Sequence, residues 1–337
     1  MGRSVQSSPG KRGLRRKQPS RNAFDNAKLP ESLIEKLLRV SALLTWLALS
    51  GASFAQDVEP RRWTHLPVGL NVVGAAYVHT DGDIFFDPVL QVDDAETEQH
   101  TFLGSYTRAF DLAGKTARLD VLVPFRKAHW QGLLDGVFTT VRREGLGDPI
   151  IRLSVNLVGG PALKGKKFRE YRAAHTTSTI VGMGLAVTLP LGEYKEDKLL
   201  NLGHNRVVVE PQIGVVHTRG QWTYELTGSV LLFGENDEFW NGNKLEQDPI
   251  YVVQGHIIHT FRPGLWLALS AAYGLNGEAE VNDVRKNDPR DTVLSALSFG
   301  FPVTRTQGLK VAYIRGRMQK NVGADTDNFA VAWSKRF

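Results

Sequence analysis

From residue 66 onward the chain is built of stretches in which apolar and polar side chains alternate for 9–15 residues at a time. Successive side chains of a strand point to opposite faces, so a two-residue period describes a strand with one apolar and one polar face. In 221–233 one parity carries Trp222, Tyr224, Leu226, Val230 and Leu232, and the other Thr223, Glu225, Thr227 and Ser229. In 150–157, Ile151, Leu153, Val155 and Leu157 oppose Arg152, Ser154 and Asn156. In 265–274, Leu265, Leu267, Leu269 and Tyr273 oppose Ala268, Ser270, Ala272 and Gly274. The pattern predicts about twelve strands: 66–79, 99–112, 116–126, 149–158, 177–191, 206–218, 221–234, 248–262, 265–276, 291–303, 309–317 and 328–337. Helical periodicity is scarce, and no apolar run after Ala55 is long enough for a spanning helix.

The connections narrow the architecture further. Short turns at 113–115, 219–220, 263–264 and 304–308 alternate with long polar links at 80–98, 127–148, 192–205, 235–247, 277–290 and 318–327. Only 159–176 is long where a short turn is due. A transmembrane barrel has short turns on the periplasmic side and long loops outside, and an even strand count returns both ends to the same side. The pattern therefore predicts an all-β fold, a transmembrane antiparallel up-and-down β-barrel of about twelve strands over 56–337. A soluble sandwich would also alternate, but strands this long with one continuous apolar face do not suit it. Tyr77, Phe110, Phe125, Trp222, Phe261, Trp266, Tyr273 and Phe301 fall near strand ends, where interfacial aromatic girdles lie. Pro211 falls in mid-strand, where a closed barrel has no free edge to tolerate a missing N–H, and a bulge is expected there.

Residues 1–55 read separately. They carry ten Lys/Arg and three acids, so the remaining chain has 31 basic against 32 acidic residues. The net charge of +6 is thus a property of the leader, and the folded part lacks the cationic excess of a nucleic-acid binder. Lys36 and Arg39 precede the apolar run 40–50, and Ser53 and Ala55 stand at small-residue cleavage positions. Together they make a cleaved secretory signal, with the mature chain beginning at Gln56. Residues 1–30 read as a start site placed too far upstream, a separate function being the alternative. The absence of Cys excludes disulfides and cysteine metal sites.

If the apolar face meets lipid, the other face lines a lumen. Its polar members are Asn71, Arg118, Asp120, Arg152, Asn156, Glu210, Gln212, Glu225, Gln254, His256 and Lys310. Two readings follow: a solvated conduit, or an ionic network filling a narrow barrel. Twelve strands exceed the eight whose interior side chains can fill, which favours an open or loop-plugged interior. Mixed signs predict no strong ion selectivity.

Other motifs are weak. The stretch 160–167, GPALKGKK, imitates a phosphate-binding loop, but Lys167 replaces the hydroxyl residue and no apolar-periodic helix is expected after it. It reads as a basic periplasmic link. The nine His residues lack metal-ligand spacing along the chain, so no metal site and no cofactor are expected. A lipid-hydrolysing barrel could draw on His217, His259, Ser229 or Ser270, yet no spacing sets a base beside a nucleophile. The enzyme, or a structural barrel with a plugged lumen, is the alternative to a channel.

Stretches 145–159, 189–194, 201–215, 235–239, 247–261 and 308–316 resemble a family of bacterial outer-membrane, transporter-like proteins named for a meta-cleavage pathway of phenol degradation. The similarity spans roughly 66–337. It implies an outer-membrane barrel, not an enzyme, for passive uptake of small aromatic or hydrophobic compounds. Its matching positions Gly145, Gly147, Asp148, Gly203 and Asn205 read as loop-to-strand turns, with glycines for positive φ. The chain stops on an alternating strand, and Phe329, Val331, Trp333 and Phe337 resemble the signal read by outer-membrane assembly machinery. The expected partners are lipid, that machinery and a small molecule. Lys335 departs from the pattern, although a Lys near an interface can snorkel.

Overall fold

The computed structural model describes residues 58–85, 92–134, 136–198, 200–320 and 322–337. The leader and its cleavage site lie outside the described residues. The elements in chain order are β1 Asn71–Phe85, β2 Val92–Leu112, β3 Lys115–Leu134, β4 Val137–Leu146, β5 Ile150–Val158, α1 Gly165–Ala174, β6 Thr177–Thr188, β7 Val208–Arg219, β8 Trp222–Phe233, β9 Asn236–Phe239, β10 Asn243–Gln247, β11 Ile250–Arg262, β12 Leu265–Asn276, β13 Ala279–Val281, β14 Val284–Arg285, β15 Thr292–Pro302, β16 Gln307–Met318 and β17 Gly323–Arg336.

These elements form a closed, twelve-stranded antiparallel barrel. Each wall strand pairs with its neighbours in the chain, and β17 closes on β1 from Val72↔Arg336 to Phe85↔Gly323. Beyond the last ladder pair, the Phe337 and Asn71 backbones exchange hydrogen bonds of 2.9 and 3.0 Å. No sheet edge is left at this seam, as a barrel in lipid requires. One wall strand is broken: β4 pairs with the upper half of β3 and β5 with its lower half, with 147–149 between them. The small sheet β14-β13-β10-β9 stands on the long loops around a core of Phe239, Trp240, Leu245, Ala279 and Val281.

The polarity of the wall is inverted relative to a soluble protein. Leu153, Leu185, Ile213, Leu226, Tyr251, Leu269 and Phe329 are exposed on its outer face. Arg152, Gln212, Glu225, Gln254 and Asn328 are buried on its inner face. A continuous exposed apolar belt is not compatible with a wall in water, but it fits one in hydrocarbon.

Three expectations are corrected. The first strand starts at Asn71 rather than 66, because 58–65 turn into the lumen and 66–70 lead back to the wall, where Gly69 and Leu70 bond the Ala109 backbone. The second and third strands run well beyond the expected bounds, and the polar link at 127–148 is a hairpin of β3 and β4. At Pro211 there is no bulge. Its pairing with Leu185 is in register, and the β7–β8 ladder omits Glu210 and Pro211 without shifting. The missing N–H is absorbed by a lapse in pairing, with no residue inserted. In addition, the link after Gly160 contains α1, a polar helix with no buried residue.

Candidate functional site

The lumen holds residues 58–65. Trp63 is almost fully buried and donates its indole N–H to Thr227 Oγ1 at 2.8 Å. Room for this ring comes from Gly182 and Gly214, which are paired across β6 and β7. A Cβ on either would collide with the Trp63 indole. Trp63 also packs with Ile180 and Val216. Around it, the Arg61 backbone N–H donates to Glu225 Oε2 at 2.7 Å, and the Arg62 guanidinium to Gln212 Oε1 at 2.6 Å. Arg118 donates to the Arg62 carbonyl at 3.0 Å and to Asp120 at 2.6 Å. Glu59 lies in the field of Lys310, Arg118, Arg62 and Arg152. Below, His65 meets the Pro161 carbonyl at 2.8 Å and packs edge-on against Phe168 and Tyr171 of α1. Burial lowers the pKa of His65, with the Pro161 hydrogen bond opposing.

The residues expected on the inner face divide as follows. Asp120, Arg152, Asn156, Glu210, Gln212, Glu225, Gln254 and His256 are buried, while Arg118 and Lys310 are half-buried. Asn71 is the exception. It shares the outer-face parity of Val73 and Tyr77, and Tyr106, on that same face, donates to it at 2.8 Å. The reason is its place before the first inward side chain of β1, which sequence alternation with the wrong strand start obscures. Of the serines weighed for catalysis, Ser270 lies 2.8 Å from His256 Nδ1, a histidine not paired with it from sequence. Both are buried, and among the described residues no carboxylate is hydrogen-bonded to that ring.

The break in the wall is a second constellation. Asp148 is buried and accepts the Gly192 N–H at 2.9 Å, the His204 N–H at 2.7 Å and a contact from His204 Nδ1 at 2.6 Å. Burial alone would raise this carboxyl, but the His204 and Gly192 hydrogen bonds hold it below its ordinary value. The segment 189–205 is thereby fastened over the interruption, helped by Glu193 N–H to the Leu146 carbonyl at 2.7 Å and Arg126 to the Leu202 carbonyl at 3.3 Å. The turn glycines are corrected here. Asn205 has a positive φ of 51°, but Gly145, Gly147 and Gly203 do not. They permit close approach instead: a Cβ on Gly145 would strike the Glu193 carboxylate, and one on Gly203 would sit 2.9 Å from Asp148 Oδ1.

At the same end, Ile84, Ala95, Ala128, Trp130 and Leu202 form a buried apolar cluster flanked by Val141, Leu200 and Ala324. The lumen is thus apolar towards the long loops and polar around the Trp63 plug.

The family model described as "Putative MetA-pathway of phenol degradation" matches residues 80–334. The chain belongs to this family. Among solved structures it is similar to an outer membrane channel from Pseudomonas putida F1, with a TM-score of 0.71 and 21% identity over 83% of this chain and 100% of that one. A weaker likeness is to the transport unit of the autotransporter AIDA-I from Escherichia coli, with a TM-score of 0.46 and 7% identity, covering 84% of this chain and 95% of that one. Another is to the Pseudomonas putida toluene transporter TodX, with a TM-score of 0.44 and 10% identity, covering 84% and 93%. No curated protein matches the chain. In a family barrel of this polarity the short turns and both barrel ends face the periplasm, and the long loops face outward.

Proposed function

We propose that the protein is a passive outer-membrane channel for small aromatic or apolar molecules. The observation that carries this reading is a closed twelve-stranded wall, larger than one its own side chains can fill, with the separate segment 58–65 folded into its lumen. The extracellular apolar cluster around Trp130 and Leu202 offers a first contact for an apolar solute. In this reading the inner-face residues Asp120, Arg152, Asn156, Glu210, Gln212, Glu225, Gln254 and His256, with the half-buried Arg118 and Lys310, line the route past the plug. Selection then rests on pore width and lumen polarity, with no energy coupling. The family's description supports the aromatic class, and the similar Pseudomonas putida F1 protein is named a channel.

The leader 1–55 is read as removed on export, the barrel being inserted by assembly machinery that reads Phe329, Val331, Trp333 and Phe337. Val58 is buried inside the barrel against Ile250, Leu294 and Ile314.

The test is single-channel conductance of the purified barrel in planar bilayers, together with phenol or toluene uptake into vesicles. Trp63→Ala removes a buried indole that stabilises the plug by about 3 kcal/mol. Conductance should rise in this variant. A barrel that neither conducts nor speeds aromatic uptake, with or without Trp63, would sink the channel reading.

A further inference from the structure

Above the lipid belt, the outer faces of β1, β2 and β3 carry a group of side chains that no transport role requires. Cross-strand register sets His79 opposite His100, Asp81 opposite Glu98, and Glu98 opposite His129. The group sits directly above Tyr77 and Phe102, whose rings pack 5.3 Å apart on the same outer face. All of these residues point away from the lumen, since Thr80 and Ile84 of the other parity are the buried ones.

The geometry is that of a metal site. The His79 and His100 rings are stacked 4.9 Å apart, with their Nδ1 atoms 3.3 Å from one another. Behind His79, Asp81 Oδ2 lies 2.7 Å from Nε2; behind His100, Glu98 Oε1 lies 3.4 Å from Nε2. A carboxylate against Nε2 favours the tautomer with its proton there. In that tautomer both Nδ1 atoms present lone pairs to each other at close range. The Tyr77 hydroxyl, 2.8 Å from His100 Nδ1, can satisfy one of them but not both. A cation between the two rings resolves the conflict. Two ligands of a tetrahedral ion with bonds of about 2.0 Å stand about 3.3 Å apart, the separation found here. Ligand atoms of His79, Glu98 and His100 all lie within 4.8 Å of one another; on binding, the exposed Glu98 gives up its 3.4 Å contact with His100 Nε2 and turns to the ion as third ligand, and the ion on Nδ1 then itself keeps the His100 proton on Nε2. The neighbouring cation Lys127 is already engaged, with Glu144 at 2.8 Å.

We propose that His79, His100 and Glu98 bind a divalent transition ion of the zinc class on the outer wall, with Asp81 holding the His79 ring. Imidazole nitrogens with one carboxylate suit zinc, nickel or copper ions; magnesium and calcium prefer oxygen alone. A carboxylate on the far nitrogen of a ligating histidine orients the ring and raises its basicity. The ion clips β1 to β2 beside the closing seam and keeps a coordination position open to the headgroup layer. The acidic trio Glu246, Glu280 and Asp283 on the loops is different. Lys244 lies 2.9 Å from Glu246 and Arg285 lies 3.7 Å from Glu280, so two of its three carboxylates already face cations, and it has no histidine.

The experiment is calorimetric titration of tag-free, folded barrel in detergent with zinc chloride, repeated with magnesium chloride. Wild type is expected to take up one zinc ion and to ignore magnesium. His79→Ala/His100→Ala should lose that uptake while keeping its heat-modifiable gel mobility, because the side chains lie outside the barrel. Asp81→Asn, which removes no ligand, should bind about ten-fold more weakly. Zinc should raise the melting temperature of wild type and leave the double variant unmoved. Absence of zinc uptake by wild type would overturn the proposal, as would undiminished uptake by the double variant. Should the double variant not fold, unchanged affinity in Asp81→Asn together with no zinc-induced melting shift in wild type would overturn it as well. Channel conductance plays no part in these readouts, so the site stands or falls apart from the transport reading.

Discussion

Two junctions of the wall lie only a few strands apart and are made in opposite ways. At the seam, β1 and β17 run together without a register shift from Val72↔Arg336 to Phe85↔Gly323. At the break, β3 changes partner between Leu122↔Ile150 and Phe125↔Leu146, and 147–149 lie outside both ladders, tied to β3 by the Gly147 N–H to the Pro124 carbonyl at 2.9 Å. The seam is held by backbone groups, which any sequence of suitable alternation supplies. The break is held by a few irregular backbone bonds, such as Glu193 N–H to the Leu146 carbonyl, together with particular side chains, chiefly the buried Asp148. A regular ladder spreads its energy over many equivalent bonds, whereas the break depends on fewer, with three of them meeting at one carboxylate.

Damage to the seam should therefore act on whether the barrel forms at all. Phe337 is two-thirds exposed, and its backbone makes the last two bonds to Asn71. Its deletion removes both bonds and the terminal aromatic of the assembly stretch. The expected outcome is a large fall in folded protein in the outer membrane, read as loss of the heat-modifiable band. Normal insertion of the truncated chain would show that the seam closes without its end, and would remove the contrast with the break.

The two junctions also differ in how far the sequence displays them. Alternation is a local property, so all twelve wall strands are legible, including the last. Their upper ends are not, because above the membrane the outer face turns polar while the inner face carries only scattered apolar residues such as Ile84, Ala128 and Trp130: 80–85, 127–134 and 137–146 read as polar links yet are paired strands. The plug is hidden for another reason. Trp63 finds Thr227, Gly182 and Gly214 far away in the chain, and only the inward glycines on an otherwise polar face hint at a bulky guest. His79 and His100 are likewise brought together by register, which spacing along one strand does not reveal.

Damage to the break should act locally and less severely. Asp148→Ala leaves the Gly192 and His204 N–H groups and the His204 ring without their acceptor. Unsatisfied buried partners cost about 1–3 kcal/mol each, less whatever water recovers. The barrel should still form, but 189–205 should become sensitive to protease while the seam stays protected. Equal loss of protection at both junctions would mean that Asp148 supports the whole wall and not the break alone.

The smallest effect is reached by titration. Hydrogen bonds from His204 and Gly192 outweigh burial and hold Asp148 below the ordinary carboxylate value. A group whose folded value is depressed adds stability that is complete above its unfolded value, about 3.9, and lost as pH falls through the folded value. The break should thus stay fastened at neutral pH and loosen only in acid below about 3.9. A protonated acid keeps some accepting capacity, so the loss should be smaller than in the alanine variant. Hydrogen exchange at the Gly192 and His204 amides, corrected for the intrinsic pH dependence of exchange, is the direct measure. Protection should fall in acid for wild type, whereas Asp148→Ala should be unprotected throughout and the seam amides of Val72–Tyr77 unchanged. Protection of wild type that does not fall at any acid pH at which the seam is still protected, or a parallel loss at the seam, would show that the carboxylate charge is not what fastens the break.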